Sequence, residues 1–268
     1  MSNTKIQSCF ARYELKYALT QAQYEAMRRS IEPHMRPDTH PRYTISNLYY
    51  DTENFQLIRG SLDKPDYKEK LRLRSYGKVE DGDTVFLEMK KKFDGVVFKR
   101  RIVLTAREAM AYLESGERPA EKGQILREID YMRSFYTLEP KAYIAYDREA
   151  WAGIEDSELR LTFDTNLRWR PDALDLRLDA PTSPIGEKGM ILMEIKVPGA
   201  MPLWLAHLVE SLGIGRVSFS KYGACFKENF LPELQKSWAA AIAKPQTYGA
   251  GIYTPFVPNR KAAYKSAV

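Results

Sequence analysis

Hydrophobic and polar residues alternate along most of the first two thirds of the chain, which is the pattern of β-strands with one buried face. In the stretch KEKLRLRSYG (68–77), two leucines point to one side of a strand, while two lysines and two arginines point to the other. Four cations in a row on one face repel one another. The pattern therefore predicts a strand whose polar face meets an anionic group.

The same alternation, with helical periodicity between the strands, predicts a mixed α and β fold. Strands are predicted over residues 12–19, 43–52, 67–77, 84–92, 96–105, 140–151, 158–170 and 189–197. Helices are predicted over 21–35, 106–115, 124–136, 202–213 and 220–231, with Thr20 as the N-cap of the first. The sequence Phe-Asp-Gly at 93–95 is a hairpin connection between two of the strands.

Charged residues two positions apart share one face on strand after strand, with apolar residues on the opposite face. The sets are Lys68, Lys70, Arg72 and Arg74; Glu14 and Lys16; Glu88 and Lys90; Lys99 and Arg101; Arg160, Thr162 and Asp164; and Glu194 and Lys196. If helices cover the apolar faces, the charged faces look at one another across a closed or nearly closed antiparallel barrel. The alternative is the solvated outer face of a β-sandwich, which usually carries more Thr, Ser and Gln and mixes the signs of charge.

Composition narrows the class of protein. The 268 residues carry a net charge of +6 with a pI near 9.1, which favours an anionic partner. The only cysteines are Cys9 and Cys225, so no disulfide framework is implied and a reducing compartment is expected. The N-terminus does not resemble a signal peptide, and no apolar run reaches the ~18 residues of a membrane span. We therefore expect a cytoplasmic protein without a transmembrane segment.

Cations beside a few carboxylates at the centres of strands are typical of a site for phosphates with a divalent metal. Cations bind phosphate oxygens, and carboxylates bind the metal. No phosphate-binding P-loop motif is present, and the three histidines lack zinc-site spacing. Nucleic acid is not expected as a partner, because the cations are spread over strands rather than gathered on one outer patch.

Nine short motifs, in order over about residues 10–230, resemble those of the VTC domain. This is the polyphosphate polymerase branch of the triphosphate tunnel metalloenzymes, related to the CYTH proteins. The motifs are YELKY, NLYYDT, KLRLRSYG, VFLEMKKK, VFKRR, YDREAW, LRLTFDTNL, MEIKV and FSKYG. The resemblance implies an α+β fold, an antiparallel β-barrel tunnel with helices packed on the outside. It also implies binding of a triphosphate unit with Mn²⁺ or Mg²⁺.

The resemblance also implies residue roles. The phosphate-binding cations of the catalytic site would be Lys16, Arg72, Arg74, Lys90, Lys99, Arg148, Arg160 and Lys221. The metal ligand would be Glu194, with Glu14 and Glu88 as second contributors. Lys70, Arg101 and Lys196 share the charged faces and are predicted substrate contacts. Ser218 occupies a position where the family often has lysine, and Arg216 is expected to compensate nearby.

Three functions follow from these expectations. The first is an ATP-dependent polyphosphate polymerase, which transfers the γ-phosphoryl of ATP to a growing polyphosphate chain. The second is a triphosphatase or nucleotide cyclase of the same fold, and the third is a non-catalytic module that binds polyphosphate or another polyanion. The wider tunnel family opens with Glu-x-Glu-x-Lys, and Arg12 replaces the first glutamate here, which favours the polymerase.

Partners and domains complete the expectations. The expected ligands are ATP, triphosphate and polyphosphate, and docking to a membrane partner is left open. Residues 1–235 are predicted to form the tunnel domain. Residues 236–268 are predicted to be a C-terminal extension, flexible or docked to a partner.

Overall fold

The computed structural model describes residues 13–63, 65–93 and 96–243, and the chain divides into two units, Met1–Phe230 and Leu231–Val268. The strands described in the first unit are β1 (Tyr13–Leu19), β2 (Met35–Asp51), β3 (Tyr67–Tyr76), β4 (Thr84–Phe93), β5 (Val96–Thr105), β6 (Glu139–Gly153), β7 (Arg160–Arg170), β8 (Ser183–Pro184) and β9 (Ile191–Val197). Its helices are α1 (Gln21–Ile31), α2 (Gln56–Leu62), α3 (Ala106–Ser115), α4 (Gln124–Phe135), α5 (Leu203–Ser211) and α6 (Lys221–Cys225), which continues into a π-helical turn (Phe226–Phe230). The described part of the second unit is α7 (Leu231–Ala243).

All the strands form one antiparallel sheet, in the order β1-β9-β7-β6-β2-β3-β4-β5, with β8 paired to β7. The sheet encloses a cavity lined by its charged faces, so the α+β tunnel prediction is confirmed and the sandwich alternative is wrong. Within the described residues β1 and β5 do not pair, so the barrel is left open along that seam.

Helices cover the apolar faces on the outside, as the alternation predicts. Over β1, β7 and β9, one core contains Met27 of α1 and Leu205 of α5. Over β3, β4 and β5, a second core joins Leu71 and Leu87 to Ile129 of α4. Because successive strand residues point to opposite faces, burying these apolar residues outside forces their charged neighbours inwards.

Two boundaries differ from the sequence prediction for local reasons. Thr20 caps α1 as predicted, but the helix ends at Ile31 rather than at residue 35. Pro33 lies just beyond this end, and its ring disfavours helix continuation. β2 begins at Met35, before the predicted residue 43, and its pairing with β6 has an irregularity between Pro37 and Arg42. The hairpin turn at 94–95 and Arg12 lie outside the described residues.

Helix α7 runs through the predicted domain boundary at residue 235. A proline in the first turn and the run Ala-Ala-Ala-Ile-Ala both suit a helix, which explains why this segment continues as one. The predicted extension at 236–268 is therefore helical at its start, and residues 244–268 lie outside the described part of the chain.

Candidate functional site

The sheet encloses a cavity of about 360 Å³ whose lining is strongly cationic. The lining residues are Glu14, Lys16, Tyr49, Lys70, Arg72, Arg74, Lys90, Val97, Lys99, Arg101, Tyr146, Arg148, Glu194, Lys196, Ser220 and Lys221. Among the described residues, ten lysines and arginines and two glutamates therefore share this space. Strands supply most of them, and α6 adds Lys221 with its N-cap Ser220.

Cross-strand register explains how separate motifs meet. In the β3–β4 pair Arg72 lies directly opposite Glu88, and in the β2–β3 pair Tyr49 lies opposite Arg72. In another part of the same sheet, Lys16 of β1 lies opposite Glu194 of β9. Directly opposed residues share a face and have Cβ atoms only about 5 Å apart, so residues distant in sequence form one site.

One side of the cavity, which we call the Glu88 wall, consists of Arg72, Arg74, Lys99 and Glu88. The Arg72 guanidinium donates to Glu88 Oε2 from Nη2 at 2.7 Å and from Nε at 2.8 Å. Lys99 Nζ lies 2.6 Å from Glu88 Oε1, and Arg74 Nε lies 3.8 Å from Glu88 Oε2. Glu88 is 1% exposed and lies behind the lining, so a single buried carboxylate holds three cations.

The pKa values of the Glu88 wall follow from its ratio of three cations to one carboxylate. Burial raises the pKa of Glu88, but Arg74, Arg72 and Lys99 together outweigh burial and hold that pKa well below its usual range. Burial lowers the pKa of Lys99 to about 7, since the attraction of Glu88 is opposed by repulsion from the two arginines. The wall is therefore short of negative charge.

The opposite side, which we call the Glu194 wall, consists of Lys16, Arg148, Lys221, Glu194 and Asp164. Arg148 makes a bidentate pair with Asp164, with Nε to Oδ1 at 2.6 Å and Nη2 to Oδ2 at 2.7 Å. Lys221 Nζ lies 2.5 Å from Asp164 Oδ2. Glu194 is less tightly held, because its three ion pairs, with the cations of this wall, all measure 3.4 Å.

Two carboxylates change the charge balance of the Glu194 wall. Burial lowers the pKa of Lys221, but Asp164 and Glu194 outweigh it, so the net shift is upward. Burial likewise raises the pKa of Glu194, and Lys221, Lys16 and Arg148 reverse that shift, so the carboxyl stays ionised. Arg148, Lys221, Asp164 and Glu194 thus retain their charges without a ligand.

Two more lysines lie between the walls. Lys70 Nζ donates to Ser220 Oγ at 3.0 Å, while Lys90 Nζ lies 3.4 Å from Glu14 Oε2. Burial, followed by repulsion from Lys90, Lys16 and Lys68, lowers the pKa of Lys70 to about 7. A bound anion would relieve the cost of charging Lys70.

Glu194 and Glu14 fit a divalent metal better than Glu88 does. They lie diagonally across the β1–β9 pair, and both line the cavity. Burial and the charge of Glu194 raise the pKa of Glu14, although Lys90, Lys16 and Lys196 outweigh them. The described residues contain no cluster of three or more metal-ligating side chains. Mg²⁺ commonly uses one or two carboxylates and takes its remaining ligands from phosphates and water, so this pair suffices. Glu88 does not line the cavity, and its ion pairs with Arg72 and Lys99, at 2.7 and 2.6 Å, are shorter than the 3.4 Å pairs of Glu194.

The structure brings most of the predicted site residues together. Lys16, Lys70, Arg72, Arg74, Lys90, Lys99, Arg101, Arg148, Lys196, Lys221, Glu14 and Glu194 all line the cavity. Arg160 shares the inner face but does not line the cavity, and its Nη1 lies 2.7 Å from Asp38 Oδ2. Arg216 and Ser218 are exposed and outside the lining, in the loop before α6.

Several residues of the site escaped the sequence prediction. Tyr49 accepts a hydrogen bond from Arg72 Nη1 at 3.2 Å, and Tyr146 accepts one from Arg74 Nη2 at 3.3 Å. The Tyr146 ring also lies under Lys221, whose Nζ is 4.3 Å from its centroid. Both tyrosines lie on the strand face that carries the charged residues, and this position is the feature of the sequence that could have identified them. Asp164 was on a charged face but was not selected.

An antiparallel sheet around a cation-lined cavity, with helices outside, defines the class of tunnel-fold proteins. Within that class the VTC domain family model matches residues 11–230. This match covers most of the chain, so the chain belongs to the VTC domain family.

Curated relatives agree with this family. The chain is 24% identical over 223 residues to the vacuolar transporter chaperone complex subunit 4 of Schizosaccharomyces pombe, which covers 66% of this chain and 30% of that protein. It is 26% identical over 216 residues to the subunit of the same name in Trypanosoma brucei brucei, which covers 66% of this chain and 27% of that protein. The chain thus spans less than a third of the length of these relatives.

Solved structures share the fold at low identity. A candidate adenylate cyclase from Bacillus halodurans has a TM-score of 0.53 at 14% identity, over 84% of this chain and all of that one. A candidate adenylyl cyclase from Hippeastrum, described with a dominant triphosphatase activity, has a TM-score of 0.53 at 16% identity, over 82% of this chain and 98% of that one. Within the described residues, no helix has the length and apolar character needed to cross a membrane.

Proposed function

We propose that the protein is an ATP-dependent polyphosphate polymerase, which transfers the γ-phosphoryl group of ATP to the end of a polyphosphate chain. The observation that carries this proposal is the lining of the cavity, where ten lysines and arginines and two glutamates are found among the described residues. Both substrates and the polyphosphate product contain a linear chain of phosphates, which a cationic lining complements. Membership of the VTC domain family supports the same reaction.

The reaction needs positioning and charge stabilisation more than a nucleophilic side chain. A terminal oxygen of the acceptor phosphate attacks the γ-phosphorus, the bond to the β–γ bridging oxygen breaks, and ADP leaves. Negative charge spreads over the equatorial oxygens in a loose transition state. Arg72 and Arg74 offer planar donors to these oxygens, and Lys99 adds a compact charge beside them.

Glu194 and Glu14 are the residues that would hold Mn²⁺ or Mg²⁺ at the cavity surface. Such an ion would neutralise negative charge on the phosphate oxygens. Glu194 has a second task in the protein itself, because it is paired with Lys16, Arg148 and Lys221 and so keeps these cations facing the cavity.

Hydrolysis of triphosphate is the second candidate, and one observation favours it. Glu14 lines the cavity, and its ion pair with Lys90 is long at 3.4 Å, so its carboxylate has capacity to orient a water molecule. Water would then replace the acceptor phosphate. The third candidate, a module that binds polyphosphate without turnover, needs only the cations.

One experiment separates the three candidates. Purified protein is incubated with ATP and Mn²⁺ or Mg²⁺, and the products are resolved as phosphate chains or free phosphate. Polymerase activity gives chains together with ADP, hydrolysis gives free phosphate, and a binding module gives neither. The Glu194→Gln variant controls for contaminating enzymes, because it alters one carboxylate of the cavity. Free phosphate without chains would refute the polymerase.

We also propose a cytoplasmic location with docking to a membrane-associated partner. The two cysteines fit a reducing compartment, and the curated relatives are named as subunits of a complex. Fractionation of cells that express the tagged chain tests both points. Recovery from an oxidising compartment, or from the cytosol with no membrane-bound fraction, would contradict the respective part.

A further inference from the structure

Three aromatic rings continue the cavity face beyond the cations, and no role has yet been given to them. We propose that Tyr43, Tyr76 and Phe86, here called the aromatic platform, stack against the base of a nucleoside triphosphate. The donor would then enter from this end of the cavity with its phosphates pointing inwards. The inference rests on the proposed function, because it assigns a place to the nucleoside of the phosphoryl donor.

The three rings form one continuous cluster. Tyr76 is at its centre, with its ring centroid 5.6 Å from that of Tyr43 at 67° and 5.5 Å from that of Phe86 at 76°. Both contacts are edge-to-face, an arrangement that aromatic pairs prefer and that fixes the orientation of the central ring. The cluster is therefore a defined surface rather than three independent side chains.

Register places the aromatic platform directly beside the cations. Phe86 of β4 lies opposite Arg74 of β3, and Tyr43 of β2 lies opposite Arg148 of β6. Tyr76 follows Arg74 by two residues on the same strand face, a step of about 7 Å. Each side of the platform thus adjoins a cation that lines the cavity, one in the Glu88 wall and one in the Glu194 wall.

Arg101 connects the platform to the cavity. It lines the cavity, and its guanidinium carbon lies 4.8 Å from the centroid of the Phe86 ring. An arginine stacked on an aromatic ring next to other cations can follow a ligand from its phosphates to its base. Neither a free phosphate nor a polyphosphate chain makes use of the rings, whereas a nucleoside triphosphate uses both surfaces.

The platform is accessible to a ligand. Tyr76 is 43% exposed, and Val103, which lies opposite Phe86 on β5, is 42% exposed on the same face. Covering these exposed apolar side chains with a ligand removes apolar surface from water, which favours binding. Every base has an apolar face that stacks on aromatic rings with little regard to base identity. We therefore expect ATP and GTP to bind with similar affinities.

The test compares two ligands that differ by the nucleoside. Affinities for ATP and for inorganic triphosphate are measured by calorimetry without divalent metal, so that no turnover occurs. The variants are Tyr76→Ala, Tyr76→Phe, Phe86→Leu and, as a matched control, Tyr131→Ala. Tyr131 is an exposed aromatic residue that stacks on Phe135 of α4, on the outside of the sheet.

Tyr76→Ala should weaken ATP about tenfold and leave triphosphate unchanged. Tyr76→Phe keeps the ring and should bind both ligands as the wild type does, and Tyr131→Ala should alter neither affinity. If Tyr76→Ala lowers the melting temperature sharply, Phe86→Leu carries the test, since it keeps apolar volume and loses the ring face.

The outcomes separate the platform from the proposed function. Equal weakening of both ligands, or unchanged ATP affinity in both ring variants, overturns the platform and leaves the polymerase standing. A wild-type protein that binds neither ATP nor triphosphate overturns both. A selective loss of ATP affinity supports the platform whether the products of turnover are chains or free phosphate.

Discussion

In the Glu88 wall three cations share one carboxylate, whereas in the Glu194 wall three cations share two. The consequence is visible in one lysine of each wall. The pKa of Lys99 is lowered to about 7 by burial and by its neighbouring arginines, while that of Lys221 is raised because two carboxylates outweigh its burial. The pKa values of two lysines in the same cavity are thus shifted in opposite directions.

This difference assigns separate tasks to the walls. The Glu194 wall is internally paired through its two carboxylates, so it acts as a scaffold that also offers a carboxylate to a metal. The Glu88 wall is short of negative charge, and a phosphate chain supplies what is missing. Substitutions in the Glu194 wall should therefore affect stability and metal use, and substitutions around the Glu88 wall should affect anion binding.

The largest expected effect is on stability, at the centre of the Glu194 wall. Asp164 is fully buried and paired with both Arg148 and Lys221, so Asp164→Asn leaves two buried cations short of a partner. We expect the free energy of unfolding to fall by about 3–5 kcal/mol in denaturant titrations. Asp147→Asn, at the partly exposed pair with Arg168, should cost less than about 1 kcal/mol. Equal losses would remove the distinction between scaffold and surface.

Glu194→Gln should lower metal-dependent turnover by about a hundredfold or more while the fold survives. Asp164 still pairs with Arg148 and Lys221 in this variant, which is why the melting temperature should change far less than in Asp164→Asn. Glu128→Gln, at an ion pair with Arg100 on the outside, is the matched control for loss of a carboxylate. Turnover close to wild type would transfer the metal-binding role to Glu14.

Lys70, between the walls, should make anion binding depend on pH. Its pKa of about 7 lies below that of an unfolded lysine, so between pH 7 and about 10 the unfolded chain holds a proton that the free folded protein lacks. Stability without ligand should therefore rise with pH across this window, whereas affinity for triphosphate should fall by up to about tenfold per pH unit for this group.

The measurement is proton uptake on binding of triphosphate at pH 8.5, from calorimetry in buffers of different ionisation enthalpy. Arginine keeps its proton at this pH, so Lys70→Arg should take up about one proton fewer than the wild type. The exposed Lys236→Arg should match the wild type. A wild-type protein that binds triphosphate without proton uptake would show that Lys70 is already charged.

The smallest effect is expected at Arg160. Because this arginine pairs with Asp38 and does not line the cavity, Arg160→Ala should change turnover by less than about threefold and stability by less than about 1 kcal/mol. Parallel assays with Arg148→Ala, whose loss should be far larger, give the scale. A comparable loss in both variants would extend the site along β7 and restore the role that the family resemblance implied for Arg160.

The sequence predicted the face of each strand well, because a period of two decides the face independently of tertiary structure. Arg72, Arg74 and Lys90 were placed correctly on this ground alone. Position along the barrel is another matter, since it depends on register and strand tilt. Arg160 shares the inner face but lies beyond the cavity, and alternation contains no information about that distance.

The ion-pair partners of these residues also could not be predicted from the sequence. Alternation groups Glu88 with Glu194 as inner-face carboxylates, yet only the fold shows that Glu194 lines the cavity while Glu88 lies behind the lining. The expected repulsion between Arg72 and Arg74 is offset by Glu88, which arrives from β4. For Arg216 and Ser218 no periodicity exists, because they lie in a loop, and their exposure could not be inferred.

The pairing of β1 with β9 has a consequence for the order of events during synthesis. Tyr13–Leu19 has no sheet partner until Ile191–Val197 has left the ribosome, among the strands that the structure describes. At about 5–20 residues per second the first strand waits on the order of ten to thirty seconds with an unpaired edge. Contacts between segments so far apart in sequence form slowly during folding. Lys16 and Glu194 meet only then, so a nascent chain cannot hold its ligand early.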